Sequence, residues 1–187
     1  MAKIEKLLKT GKTVFTINEL RIIWASQNPN ALKASVKYFV DNGKLQRLRK
    51  GIYALAEDYD NFELASKIVS PSYISLETAL LKHGIIFQFT SAITSLAGYN
   101  RSIIINKHKF NYHKMKEEIL LNPQGILHEK NYTIASPERA VCDYIYIYGS
   151  SYFDNLRSIN PDLMRVTVKI YGKKSIEKNI KDLIKNL

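Results

Sequence analysis

Cysteine is almost missing from this chain. Cys142 stands alone, so neither an intramolecular disulfide framework nor a cysteine-built zinc site can form. The four histidines, His83, His108, His113 and His128, fall in separate predicted elements. The spacing of His108 to His113 does not put two imidazoles on one helix face, so no metal and no cofactor is expected. Long apolar runs are lacking too. The longest uncharged stretch, Gly84 to Asn100, is broken by Gln88, Thr90, Ser91, Thr94, Ser95 and Gly98, and reads as core plus loop rather than a membrane span. The first residues alternate Lys with apolar side chains where a signal peptide needs a continuous apolar segment, which with the lone thiol points to the cytoplasm. There is no Asp/Glu-x-Lys tripeptide, Gly-x-Ser-x-Gly elbow, phosphate-binding Gly-rich loop or Cys-His pair in context, and no catalytic residues are expected.

What is present is positive charge, unevenly spread. The 187 residues carry a formal net charge of +11, with hydrophobic residues at 45% and charged residues at 24%, an ordinary composition for a folded protein with an acidic partner. Residues 1 to 56 hold eleven Lys or Arg against three acids, whereas residues 57 to 187 hold 17 against 14. An acidic stretch at Glu57, Asp58 and Asp60 marks the break, so two domains are expected, 1–56 and 57–187.

The basic third has the element order of a winged helix-turn-helix. Ile4, Leu7 and Leu8 have amphipathic helical spacing, and Gly11 stops that helix. Val14 and Phe15 are β-formers, and Thr16 with Glu19 makes a capping box that opens a second helix through Ile17, Leu20, Ile23 and Trp24. After the turn Ser26-Gln27-Asn28-Pro29, Asn30 can cap a third helix, Ala31 to Asp41, with Gly43 as its stop. Leu32, Val36, Phe39 and Val40 form the inner side of that helix. Asn30, Lys33, Ala34, Lys37, Tyr38 and Asp41 form the outer side, a face suited to phosphates and base edges in a major groove. Lys44 to Leu55 then reads as a basic hairpin turning at Arg49-Lys50-Gly51, with Lys44 a further candidate DNA contact and Arg47, Arg49 and Lys50 placed to reach the DNA backbone or the minor groove.

Beyond Asp60 the pattern becomes α+β with a small, mostly antiparallel sheet. A short helix through Phe62, Leu64, Ala65, Ile68 and Val69 ends at Pro71. Ser75 caps a helix to Gly84, with Glu77 in its first turn. Two hairpins follow, Arg101–Asn106 with Lys109–Tyr112 around Lys107-His108, and Ile126–Glu129 with Tyr132–Ala135 around Lys130-Asn131. Ser136-Pro137-Glu138 opens a helix that continues through the alternating Tyr144, Tyr146 and Tyr148 and keeps Cys142 on its apolar side. Two terminal helices are expected, Pro161 to Tyr171 and Ser175 to Asn186.

The hairpin ending RKGIYAL, the segment YISLETALLKHGII (Tyr73 to Ile86), the strand-like FNY (Phe110 to Tyr112) and ASPERAVCDYIY (Ala135 to Tyr146) occur in the order and spacing that resembles the AbiEi family of type IV antitoxins. The resemblance covers residues 1 to about 150. It implies an N-terminal winged helix that represses its own operon at inverted repeats in double-stranded DNA, and a C-terminal domain that counters a co-encoded nucleotidyltransferase-type toxin. Tyr73, Ser75, Glu77 and Arg139 fall within the motifs that carry it and are candidates for the antitoxin function. Their structural reading is a helix start for Ser75 and Glu77 and an ion pair for Arg139. The expectation is a binding protein with no catalysis of its own and no membrane association. With no heptad seam, it should be a monomer in solution with two copies side by side on DNA. The alternative is a plain transcription regulator whose second domain senses a ligand or dimerises.

Overall fold

A computed structural model describes residues 3–55 and 57–185. The chain divides into two compact units, residues 1–68 and 69–187, so the division falls after Ile68 rather than at Glu57.

In the first unit, α1 (Lys3–Leu8), β1 (Val14–Thr16), α2 (Ile17–Ile23), α3 (Pro29–Asp41), β2 (Gln46–Arg49), β3 (Ile52–Ala54) and α4 (Asn61–Ile68) follow in order. Thr16 starts α2 with a complete capping box, its Oγ1 accepting from Glu19 N at 3.2 Å while the Glu19 carboxylate accepts from Thr16 N at 2.8 Å. The cap of α3 is Asn28, not Asn30: Asn28 Oδ1 accepts from Asn30 N and Ala31 N, and Pro29 takes the first helical position, where its missing N–H costs nothing. Leu7, Phe15, Leu20, Trp24, Leu32, Val36 and Leu45 form one buried cluster that holds the three helices together. Leu8, expected on the inner face of α1, is exposed. The hairpin β2–β3 gains β1 on its far side, giving an antiparallel sheet in the order β1-β3-β2 with an irregularity between Arg47 and Arg49.

Charge pairing explains why α4 belongs to this unit. Glu63, fully buried, accepts from Thr13 N and Thr13 Oγ1 at 2.8 and 2.9 Å. Lys67 donates to both Glu19 oxygens at 2.7 and 2.8 Å, and Lys12 donates to the same carboxylate at 2.7 Å. An acidic composition break therefore marks a turn between β3 and α4 rather than the edge of a folding unit.

The second unit is built on a six-stranded mixed sheet, which corrects the expected small and mostly antiparallel one. Its strands are β4 (Ser72–Ile74), β5 (Ala92–Ala97), β6 (Arg101–Ile105), β7 (His108–Lys114), β8 (Ile126–Glu129) and β9 (Tyr132–Ala135), in the order β6-β7-β5-β4-β9-β8. The β5–β7 and β4–β9 pairings are parallel, the other three antiparallel. The polar residues that disqualified Gly84–Asn100 as a membrane span sit in and before β5, where Thr94 and Ser95 are buried and Thr94 Oγ1 donates to Ser75 O. The turn of the first hairpin is Asn106-Lys107, both at positive φ (47° and 71°), one residue earlier than expected and matching the twist of the strands.

Helices α5 (Leu76–Lys82) and α7 (Pro137–Tyr148) pack on each other, with short α6 (Glu117–Leu120) between β7 and β8. Ser136 caps α7 through Arg139 N, as its sequence predicts. The segment Pro161–Tyr171 splits into α8 (Pro161–Thr167) and a 3-10 turn (Val168–Tyr171) that ends at Gly172. The last helix, α9 (Lys174–Ile184), starts one residue earlier than expected, and Asn186 lies outside the described residues. No helix among the described residues is long and apolar enough to cross a membrane.

Candidate functional site

The first candidate site is the groove between α3 and the β2–β3 hairpin. Leu32 and Val36 anchor α3 in the core, which turns Lys33 and Lys37 outward, and the hairpin brings Arg47 to face them. Ile17, Val36, Val40 and Tyr53 line the floor of a groove of about 410 Å³. Of the sequence-predicted residues, Lys33, Lys37 and Arg47 meet here, while Asn30, Tyr38 and Lys44 lie exposed beside them. Arg49 is half-buried at the end of β2, and Lys50 is exposed at the turn beside Gly51, whose φ of +80° suits glycine. Tyr38 is 62% exposed, with its ring edge-on to that of Phe39 at 5.3 Å between centroids. Among the described residues, Lys33, Arg47, Arg49 and Lys50 have no acidic partner, whereas Lys37 pairs with Asp41 at 3.4 Å on the exposed helix surface. Tyr53 and Ile17 were not legible as groove residues, because each sits in a β-prone or capping context that says nothing about what it faces across the fold.

The second candidate is a buried polar cluster in the other unit. Tyr73 at the end of β4, Ser75 after it, and Arg139 on α7 come together around Asp143, which sits one helical turn beyond Arg139. Asp143 accepts from Ser75 Oγ at 2.8 Å, Tyr73 Oη at 3.0 Å, Tyr171 Oη at 2.6 Å and Arg139 Nε at 3.2 Å. Three hydroxyls and one guanidinium N–H thus surround the carboxylate that pairs with Arg139. Complete burial raises the Asp143 pKa, and Arg139 with the three hydroxyls works against that rise. Burial opposes the charge of Arg139, but Asp143, then Tyr171 and Tyr73, keep its pKa above the ordinary value. Burial and the Asp143 charge hold both tyrosines well above the usual phenol range.

Arg139 also donates to Gln124 O at 2.8 Å and Ile119 O at 2.7 Å, so one guanidinium ties α7 to α6 and to the loop after it. Gly125, at φ +72°, runs against this side chain, where an added Cβ would come within 2.8 Å of Arg139 Cβ.

Ser75 occupies the N-cap position of α5 but does not cap it, because its hydroxyl is committed to Asp143. Leu76, fully buried, takes φ +56° at this corner, a conformation that costs an ordinary residue roughly 1 to 2 kcal/mol and that the surrounding packing enforces. Asp143 follows Arg139 at i+4 and is legible as its partner, whereas Tyr171 arrives from 28 residues away with no local signal.

Glu77 is not part of this cluster. It faces a separate cleft with Phe89, Tyr144, Tyr152 and Asp154. Burial, and after it the Glu77 carboxylate, push the neighbouring Tyr148 phenol up to about 12. Cys142 is fully buried and its thiol pKa is raised, chiefly by desolvation. His83 Nε2 lies 2.8 Å from Ala135 O, and His113 packs on Tyr148. Among the described residues no three His, Cys, Asp or Glu side chains are grouped so as to hold a metal.

No protein-family model matches this chain, and no curated protein matches it at a significant level.

Proposed function

We propose that the chain is a DNA-binding antitoxin that represses its own operon, with a winged helix-turn-helix in the first unit and the toxin-countering function in the second. The observation that carries the reading is the groove between α3 and the hairpin, with Lys33, Lys37 and Arg47 on its walls and Lys50 exposed at the hairpin turn. Exposed cations on one face of α3 and on the hairpin opposite it suit the phosphates flanking a major groove, with Lys37 shared with Asp41, and Asn30 and Tyr38 on the same helix suit base edges. On this reading Lys33, Lys37 and Tyr38 enter the groove while Lys44, Arg47, Arg49 and Lys50 grip the backbone. The resemblance to AbiEi antitoxins supplies the toxin half: a co-encoded nucleotidyltransferase, countered by a cytoplasmic protein that is not itself an enzyme.

Tyr73, Ser75 and Arg139, which carry part of that resemblance, are fully committed to one another and to Asp143, and this supports a structural role for them in holding the second unit. Glu77 is the one of the four that faces solvent space. Co-expression of the chain with the nucleotidyltransferase-type toxin that the reading requires a neighbouring gene to encode tests the reading. Growth is restored and a reporter driven by the upstream DNA is repressed if the proposal holds, whereas persistent toxicity with an unrepressed reporter contradicts it.

A further inference from the structure

The second unit carries a cleft whose charge is opposite to that of the chain as a whole. Its walls include two carboxylates, Glu77 and Asp154, with the rings of Phe89, Tyr144 and Tyr152, and no Lys or Arg among the described residues lines it, although the chain carries 28 of them. Two loops form the cleft and are pinned to each other: Phe87 N donates to Asp154 Oδ2 at 2.8 Å, Asn155 N to Ile85 O at 3.1 Å, and Asn155 Nδ2 to Gly84 O at 3.1 Å. Tyr144 is held by a 5.8 Å edge contact with Phe153 and a 4.8 Å contact with Tyr148. The cleft is therefore preformed.

Two features call for an occupant. Glu77 is half-buried in the cleft wall beside Tyr148, and its Oε2 has no hydrogen-bond partner among the described residues. Phe89 and Tyr152, which line it, are 80% and 84% exposed, and Phe87, whose N–H holds Asp154, is 67% exposed, a concentration of large rings that a protein surface seldom leaves uncovered.

We propose that this cleft is a docking site for a protein partner that inserts an arginine side chain, the guanidinium stacking on the Phe89 and Tyr152 rings and donating to Glu77 and Asp154. Arginine fits better than lysine because its planar fork satisfies carboxylates and stacks on aromatic faces at once. A nucleic acid or an anionic lipid surface is repelled by the same two carboxylates, and the exposed rings suit a protein interface rather than a small soluble cation. The site takes a partner whatever the first unit binds, so it extends the reading above without depending on it.

The test is an NMR titration of the isotope-labelled full chain with acetyl-Gly-Arg-Gly-amide, beside the same peptide carrying citrulline, which keeps the shape and loses the charge. The arginine peptide shifts the backbone resonances of Glu77, Phe89, Tyr152 and Asp154 with millimolar affinity, and citrulline binds at least about fivefold more weakly. Glu77→Gln with Asp154→Asn removes the difference between the two peptides, and Tyr152→Ala, at a fully solvated position, weakens both. No cleft shifts at high peptide concentration, equal shifts with citrulline, or shifts scattered over the surface each overturn the proposal. Neither DNA nor toxin enters this titration, so its failure and the failure of the antitoxin reading are separate results.

Discussion

Arg139 is a charged side chain with no exposed surface, and its replacement strands a buried carboxylate. Arg139→Met leaves Asp143 without its countercharge and leaves Ile119 O and Gln124 O without their donor, so urea denaturation should show a loss of about 3 to 5 kcal/mol. A loss below about 1 kcal/mol would mean that the cluster contributes little to the fold. Gly125→Ala should also destabilise, by at least about 1 kcal/mol, because it combines a left-handed φ with a Cβ driven into Arg139. The Arg139–Asp143 pair could be read from helical spacing once α7 was placed, and the ion pair expected for Arg139 is present. Ser75 could not be read as it stands. A serine immediately before a helical apolar face predicts a cap, and only the tertiary approach of Asp143 diverts its hydroxyl.

Glu19 shows how a local signal acquires a tertiary role. Its capping box was legible in the sequence, but the two lysines that hold its carboxylate come from before β1 and from α4. Desolvation would raise its pKa, yet Lys12, Lys67 and the Thr16 N–H lower it from the usual 4.5 to about 2. A depressed folded-state pKa means that the stabilisation is fully present above pH 4.5 and is lost as pH falls toward 2. For a side chain still 23% exposed, this amounts to about 2 kcal/mol after allowance for screening. Thermal melts from pH 6 to pH 2 should fall less steeply for Glu19→Gln than for the native chain.

In the same unit, α3 carries an anion in its own groove. Asp41→Asn releases Lys37 and should tighten DNA binding about two- to fivefold at low salt in an anisotropy titration, with unchanged affinity counting against the groove. Charge reversal at Arg49 and Lys50 should weaken binding on all sequences and lower the salt slope by about two. Strands β4 and β5 were the least legible elements. One spans three residues and the other is an uncharged run with two buried polar side chains, so neither alternates as a half-exposed strand does.

At the scale of the whole molecule, the proposed reading gives the two units separate tasks, and the position of the division between them is itself testable. A fragment ending at Ile68 keeps Glu63 on Thr13 and Lys67 on Glu19, whereas one ending at Leu55 loses both ties. The longer fragment should therefore melt cooperatively at a clearly higher temperature, and equal melting temperatures would contradict a role for α4 in the first unit. The charge imbalance that first suggested two parts was correct about where the cations lie but not about where the unit ends, because the acids that follow Leu55 include one that folds back into it. The most direct test of the central claim is an anisotropy titration of the full chain against DNA from upstream of its own gene and against a scrambled duplex, each at two salt concentrations. Tighter binding to the upstream duplex, with affinity falling steeply as salt rises, is the predicted result. Equal, weak binding to both duplexes would contradict the account and reduce the groove between α3 and the hairpin to a general polyanion surface.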